Sequence, residues 1–439
     1  RKANCRQKSS RPSPRPSSRP PPPPPPFDAP LVTHACRAMG NQHSAPPRAH
    51  VTDVLSQDLP NLVVKTNATA PGGRFLKSIT CRVDDDEDTD EHPGTSLAMV
   101  KVYVKRPGRF PDLRRHEREI DLIYAALTRG DSAPHCWPYT RALETSRAVY
   151  LMRQYCHMTL YDRLSARPFL SECERAWVAY QVLLATRDSH AVGVTHGDIK
   201  CENVLMTSWG WCFLSDYASY KPSEIPVDNP SEFTYFFDSG GRRRCCIAPE
   251  RFSNENRSRS LETMLDETPT KVDPSADIFA LGCTLAELFM DGKALFDLSE
   301  ALQYRWGEYD PREALEAGVK DDLARQMIMS MVSIDPSARL SAREYLEQYY
   351  RSRLFPSYFE RVHEFSAQFL HLDANGKIDA IDTELDDLLA TIVRVESGMD
   401  AIERASTTED AVAMAMKSRV KCPGVHLVAA HVCSAIRGA

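Results

Sequence analysis

Residues 194–203 read VTHGDIKCEN and residues 216–218 read DYA. These two strings hold two carboxylates, an ammonium and a carboxamide: Asp198, Asp216, Lys200 and Asn203. The set suits phosphoryl transfer, which asks little covalent work of a protein and much positioning and charge neutralisation. Asp198 would take the hydrogen of an acceptor hydroxyl, and Lys200, two residues on, would face the moving phosphoryl group. Asn203 and Asp216 offer the oxygen donors that Mg²⁺ prefers, Asp216 holding the ion that bridges the phosphates. Taken alone, the first string also describes an exposed turn with a histidine capping a helix, so its surroundings must decide.

Three further signals follow in order. Ala248-Pro249-Glu250 comes after Asp216 at a distance suited to an activation segment. Asp277 opens DIFALGCTLAELF, 277–289, which is apolar almost all round and reads as a buried helix. Asp335-Pro336 precedes Arg339-Leu340, with Arg339 available to pair with Glu250. Together these resemble the eukaryotic protein-kinase family over roughly residues 61–350. The resemblance implies an α/β two-lobed fold, with a small mainly β lobe and a large mainly α lobe. It also implies ATP and Mg²⁺ as cofactors and serine/threonine phosphorylation as the activity.

The elements that must position these residues are legible as patterns. Short β-type runs lie at Arg74–Cys81, Ala98–Val104 and Ala148–Tyr155, interrupted by one helical stretch, Leu113–Leu127. From Glu172 onward helices dominate. The resemblance assigns Lys101, on the third strand, to the α- and β-phosphates, with a Glu on the following helix as its partner. HEREIDLI offers Glu117 and Glu119. Glu119 is chosen because an apolar residue, Ile123, stands four positions after it.

Several positions depart from the kinase pattern. In place of a glycine-rich loop there is only PGGRFLKS, 71–78, so fewer backbone N–H groups can wrap the phosphates. Gly197 replaces the Arg that would pair with a phosphorylated activation segment, and Ala218 replaces the glycine after the metal-binding Asp. Aligning LMRQYC, 151–156, on the strand entering the hinge puts Arg153 beside the purine. Its guanidinium offers only donors, which suits the carbonyl of guanine, so GTP is then expected beside ATP. A register shifted by one gives Met152 there instead, an ordinary apolar neighbour.

These departures coincide with one family. The MGNQ string at 39–42, LYDRLSARPFL (160–170), HGDIKCENVLMTSWGW (196–211) and NPSEFTYFFD (229–238) resemble the protein-kinase-like regulatory subunit of the class III phosphatidylinositol 3-kinase complex, of vacuolar sorting and autophagy. The resemblance implies a scaffold for the lipid kinase and a Beclin-type subunit on endosomal, autophagosomal and Golgi-derived membranes. Its alternative is a catalytically impaired pseudokinase scaffold that binds nucleotide. Those relatives continue into HEAT repeats and a propeller, so residues 351–439 are expected as a helical region starting the HEAT-type repeats. Ile378, Ile381, Leu385, Leu388, Leu389 and Ile392 recur there at helical spacing.

Composition sets outer bounds. Thirteen cysteines with no C-x-x-C pair indicate reduced thiols in the cytoplasm. No apolar run reaches about 18 residues, so no membrane span is expected. Residues 1–38, rich in Arg, Ser and Pro, hold eight Lys/Arg against Asp28 alone and carry +7, so the rest carries −13 of the chain's net −6. An acidic body argues against nucleic acid as a partner. The 1–38 tract reads as disordered, or as an upstream extension of the gene model. Met39-Gly40 with Ser44 matches N-myristoylation, so Gly40 is the expected lipidated residue and 39–60 the membrane-associated segment. DDDEDTDE (84–91) lacks the glycine and spacing of an EF-hand calcium loop and reads as a solvated hairpin loop, while HLDANGKIDAID (371–382), with His371 and Asp382 at two ligand positions, is rejected as a calcium site.

Overall fold

The computed structural model describes residues 51–69, 76–83, 97–105, 114–129, 133–238, 241–254, 271–370, 374–397 and 423–437. Gly40, the acidic run at 84–91 and most of PGGRFLKS lie outside them.

Strands β1 (Leu62–Thr69), β2 (Lys77–Val83), β3 (Leu97–Val104), β4 (Arg141–Glu144) and β5 (Ala148–Gln154) form an antiparallel sheet in the order β1-β2-β3-β5-β4. Period-two alternation divides their side chains between two faces. Ala98, Val100 and Val102 with Ala148, Tyr150 and Met152 are buried on one face, beneath Val54 and Leu55 of helix α1 (Val51–Asp58). Asp58 closes that layer by accepting hydrogen bonds from Tyr150 Oη and Thr145 Oγ1, both at 2.7 Å. Residues 51–58, expected ahead of the domain, are thus a helix of the small lobe. The other face carries Tyr103, Val149 and Leu151 toward Ile120 of helix α2 (Arg114–Leu127). Lys101 opposes Leu151 and Met99 opposes Arg153 across the β3–β5 ladder, so Lys101 and Arg153 share this second face.

The large lobe follows helix α3 (Leu160–Ser165). Helix α4 (Glu172–Ala191) starts at a capping box of Ser171 and Glu174. A two-strand hairpin, β6 (Val204–Met206) and β7 (Cys212–Ser215), brackets the chemistry: Asn203 immediately precedes β6 and Asp216 immediately follows β7. After helix α5 (Pro230–Phe236) comes α6 (Pro274–Phe289), capped by Asp273 with Pro274 in the first turn. Every residue of α6 from Ala276 to Phe289 is buried, which is why its apolar run has no polar face. Helices α7 (Leu298–Trp306), α8 (Arg312–Gly318), α9 (Asp322–Met331) and α10 (Ala342–Tyr349) complete the lobe.

Among the described residues the tail holds α11 (Tyr358–Gln368), α12 (Ala374–Ser397) and α13 (Pro423–Arg437). Tyr358, Phe359, Leu388, Ile392, Val425 and Val428 belong to the same buried core as Trp177 of α4, so these helices pack on the large lobe. HEAT-type repeats are not evident in these three helices. Among the described residues no helix is long and apolar enough to cross a membrane.

Candidate active site

The loop that begins at His196 and Gly197 is hung from α6. Asp277, 1% exposed, accepts the backbone N–H of His196 at 2.7 Å on Oδ2 and that of Gly197 at 2.8 Å on Oδ1. Burial works against its charge, but hydrogen bonding and the charge of His190, with the His196 contacts, hold its carboxyl below the usual range. His196 bonds Ser215 O through Nε2 at 2.8 Å and accepts the Asp198 N–H on Nδ1. One imidazole therefore ties the loop to the end of β7.

Asp198 lies in the middle of three polar side chains. Its Oδ2 stands 2.9 Å from Lys200 Nζ and 2.6 Å from Lys221 Nζ, and Asn203 donates its Nδ2 to Asp198 O at 2.7 Å and to Oδ2 at 3.2 Å. Burial opposes the Asp198 charge, yet Lys200 and Lys221 together hold its carboxyl well below the usual range. The same burial, added to the charge of Lys200, brings the Lys221 ammonium down to about 7. Lys200 also donates to the carbonyl of Phe237 at 3.2 Å.

Asp216 takes a left-handed backbone, φ 66°, while its neighbour Tyr217 is buried with Ile123 and Leu127 of α2 and lies 4.6 Å, centroid to centroid, from His196. The strained position is Asp216 itself. Ala218 shows no positive φ and donates its N–H to His196 O at 2.9 Å, so alanine fits there. The Asp216 carboxylate meets Lys101 Nζ on Oδ2 at 2.6 Å and Arg153 Nε on Oδ1 at 2.9 Å. Burial alone would raise its carboxyl, but Arg153 and Lys101 outweigh it and hold the group below its ordinary value. Arg153 is 5% exposed and on the cleft face, while Met152 is under α1, which decides the register of β5.

One expected contact is not made. Glu119 is 41% exposed at its side chain and stands 3.6 Å from His116 on its own helix, while Lys101 is paired with Asp216. The helix turns Ile120, Ile123 and Leu127 inward, and Glu119 falls outside that stripe. Glu117 instead lines a cavity with Leu76, Tyr103, Leu151 and Tyr220.

Sequence reasoning misses two residues. Lys221, five positions beyond Asp216, has no pattern to mark it. Arg251 directly follows the Ala-Pro-Glu string and reaches the backbone at Gly197, where the kinase pattern has an arginine. It donates to the carbonyls of Gly197, Pro222 and Ser223, each at 2.9 Å. Gly197 has φ 77°, a left-handed conformation in which a side chain is strained. An arginine adjoining the Ala-Pro-Glu string, in a chain with a broken arginine position, was the available signal.

The activation segment is packed down. Phe233, Phe236 and Phe237 are buried at 3–5% exposure. Arg242 reaches Glu202 at 2.9 Å, Arg244 reaches Glu287 at 2.5 Å, and both guanidiniums lie over the ring of Tyr161. Glu250 and Arg339 form the expected pair through two bonds, at 2.7 and 2.9 Å.

A protein kinase domain model matches residues 115–351, more than half of the chain. The chain belongs to the protein kinase family. Kinase domains in general use ATP and Mg²⁺. The chain is 45% identical over 324 residues to a serine/threonine-protein kinase VPS15 of Arabidopsis thaliana, covering 73% of this chain and 20% of that protein. It is 45% identical to the protein of that name in Schizosaccharomyces pombe (73% and 17%) and 38% identical to that in Saccharomyces cerevisiae (65% and 18%). It is a kinase-like member of the VPS15 family and spans about a fifth of these relatives' length. Asp216 and Asn203 have the donor chemistry for Mg²⁺, but Lys101 and Arg153 engage both Asp216 oxygens. As arranged, the donor set does not fit a bridging divalent ion.

Proposed function

We propose that this chain is the kinase portion of a regulatory subunit that binds a nucleoside triphosphate between its lobes. In that role it scaffolds and activates the class III phosphatidylinositol 3-kinase, together with a Beclin-type subunit. The setting is endosomal and autophagic membranes, with a myristoyl group on Gly40 adding to its hold on the surface. The tail is read as the entry to HEAT-type repeats. The observation that carries the nucleotide reading is the convergence of Lys101, Arg153, Asp198, Lys200, Asn203 and Asp216 in one buried cleft. Burying so many charges is costly, and a scaffold without a ligand would gain nothing from it.

For transfer to serine or threonine, the acceptor oxygen attacks the terminal phosphorus and its proton passes to Asp198. The bond to the bridging oxygen breaks, with Lys200 and Lys101 facing the charge that develops. Arg153 on the cleft face supports GTP beside ATP, since a guanidinium only donates. A second reading, nucleotide-binding scaffold without turnover, is favoured by Lys221: it sits on Asp198 where an acceptor hydroxyl must go. Single-turnover transfer of labelled phosphate by the whole complex, with Asp198→Asn as control, separates the two. Transfer that the control abolishes supports the kinase; equal counts in both leave the scaffold.

A further inference from the structure

In the described cleft, cations outnumber carboxylates. Asp216 bears Lys101 and Arg153, and Asp198 bears Lys200 and Lys221, so four basic side chains stand on two acids. Arg153 is the decisive member. It comes from β5 on the same sheet face as Lys101, is 5% exposed, and spends Nε on Asp216 and Nη1 on Gln154 O at 3.1 Å. A guanidinium does not deprotonate in a protein, so this positive charge is permanent.

A divalent ion arriving at Asp216 would meet one of two obstacles. Displacing Arg153 leaves a buried guanidinium without its carboxylate, which is strongly unfavourable. Sharing the carboxylate sets a doubly charged ion beside a fixed positive charge at low dielectric. A polyphosphate meets neither, because it brings negative charge to a site with an excess of positive charge. The geometry points to a nucleoside triphosphate site that needs no divalent metal, with Arg153 as the resident cation at Asp216. This deepens the nucleotide reading above and rests on it.

The test is equilibrium dialysis of purified full-length protein with ATP and with GTP, in Mg²⁺ and in EDTA. For the native protein, the preferred nucleotide should bind in EDTA within about threefold of its affinity in Mg²⁺. Arg153→Met should restore a metal requirement, its affinity in EDTA falling at least ~tenfold below that in Mg²⁺. Arg153→Lys, which keeps a cation, should bind in EDTA better than Arg153→Met, and decides the matter with the native ratio if the methionine variant does not fold. Binding that vanishes in EDTA for the native protein overturns this inference and leaves the nucleotide reading standing. Absence of binding in both conditions overturns both. Equal EDTA binding by the native protein and Arg153→Met removes Arg153 from the role.

Discussion

Lys221 Nζ lies 2.6 Å from Asp198 Oδ2, closer than Lys200 at 2.9 Å, and its ammonium is 5.0 Å from the centre of the Phe237 ring. The carboxylate proposed as general base is therefore covered by a lysine of the chain's own activation segment. An acceptor hydroxyl must take the place that Lys221 fills. Lys221→Met should raise single-turnover transfer by roughly tenfold, since one blocking contact of about 1.4 kcal/mol is removed from the productive pose. Unchanged transfer in a folded variant would show that this contact does not limit access.

Arg251 holds the same segment from the other side. Its three hydrogen bonds end on backbone carbonyls of Gly197, Pro222 and Ser223. Arg251→Ala should cost about 3 kcal/mol or more, because carbonyls left unpaired in the interior are expensive. Arg251→Lys should rescue little of it, as one ammonium cannot reproduce the planar fork. Denaturant unfolding measures the loss, and hydrogen exchange across 216–238 should quicken in both variants. A full rescue by lysine would mean that charge alone matters at this position.

The kinase lobes are readable because their signals are local. The run 277–289 can only be a buried helix, and the strand alternation that places Lys101 is visible in AMVKVYVK. The choice between Arg153 and Met152 needs the β3–β5 register, which pairs Met99 with Arg153 and is set by contacts distant in sequence. Spacing misassigns Glu119 as the partner of Lys101 because it fixes a face of α2 but not which carboxylate the sheet meets. Lys221 reaches Asp198 from a folded-back loop, and Arg251 acts through backbone carbonyls. No periodicity encodes such contacts.

Phe236 tests whether the activation segment is clamped by its aromatics. The side chain is 4% exposed and lies near Tyr235 and Phe237, with ring centroids 4.9 and 6.5 Å away. Phe236→Ser removes that burial and should cost about 3–5 kcal/mol. Exchange at residues 229–238 should speed up before the lobes unfold, and pull-down of the lipid kinase should weaken if the packed segment forms part of its contact. Slow exchange retained in the variant would show that Arg242 and Arg244, through Glu202 and Glu287, suffice to hold the segment.

The tail should come away from the body in acid. His135 and His363 face each other at 2.8 Å between Nε2 atoms, with His135 stacked 4.1 Å from Trp211 and bonded through Nδ1 to Cys212 O. Nε2 to Nε2 allows one donor and one acceptor, and two charged rings would repel at that distance. Burial, then the charge of His363, brings His135 down to about 3, and burial with Arg187 nearby brings His363 to about 4. The unfolded rings titrate near the ordinary value of 6.5, so between that pH and about 4 the unfolded state binds more protons. Stability contributed by the pair is therefore complete above pH 6.5 and lost as pH falls through about 4, with roughly a few kcal/mol at stake. Because His363 lies on α11, the first tail helix, its contact with Trp211 should loosen over that range, seen as a change in tryptophan fluorescence. His363→Phe keeps an aromatic ring on Trp211 without a titrating nitrogen and should lower the acid limb by the His363 share, leaving that of buried His135. An acid limb of the same height in that variant would place the sensitive groups elsewhere.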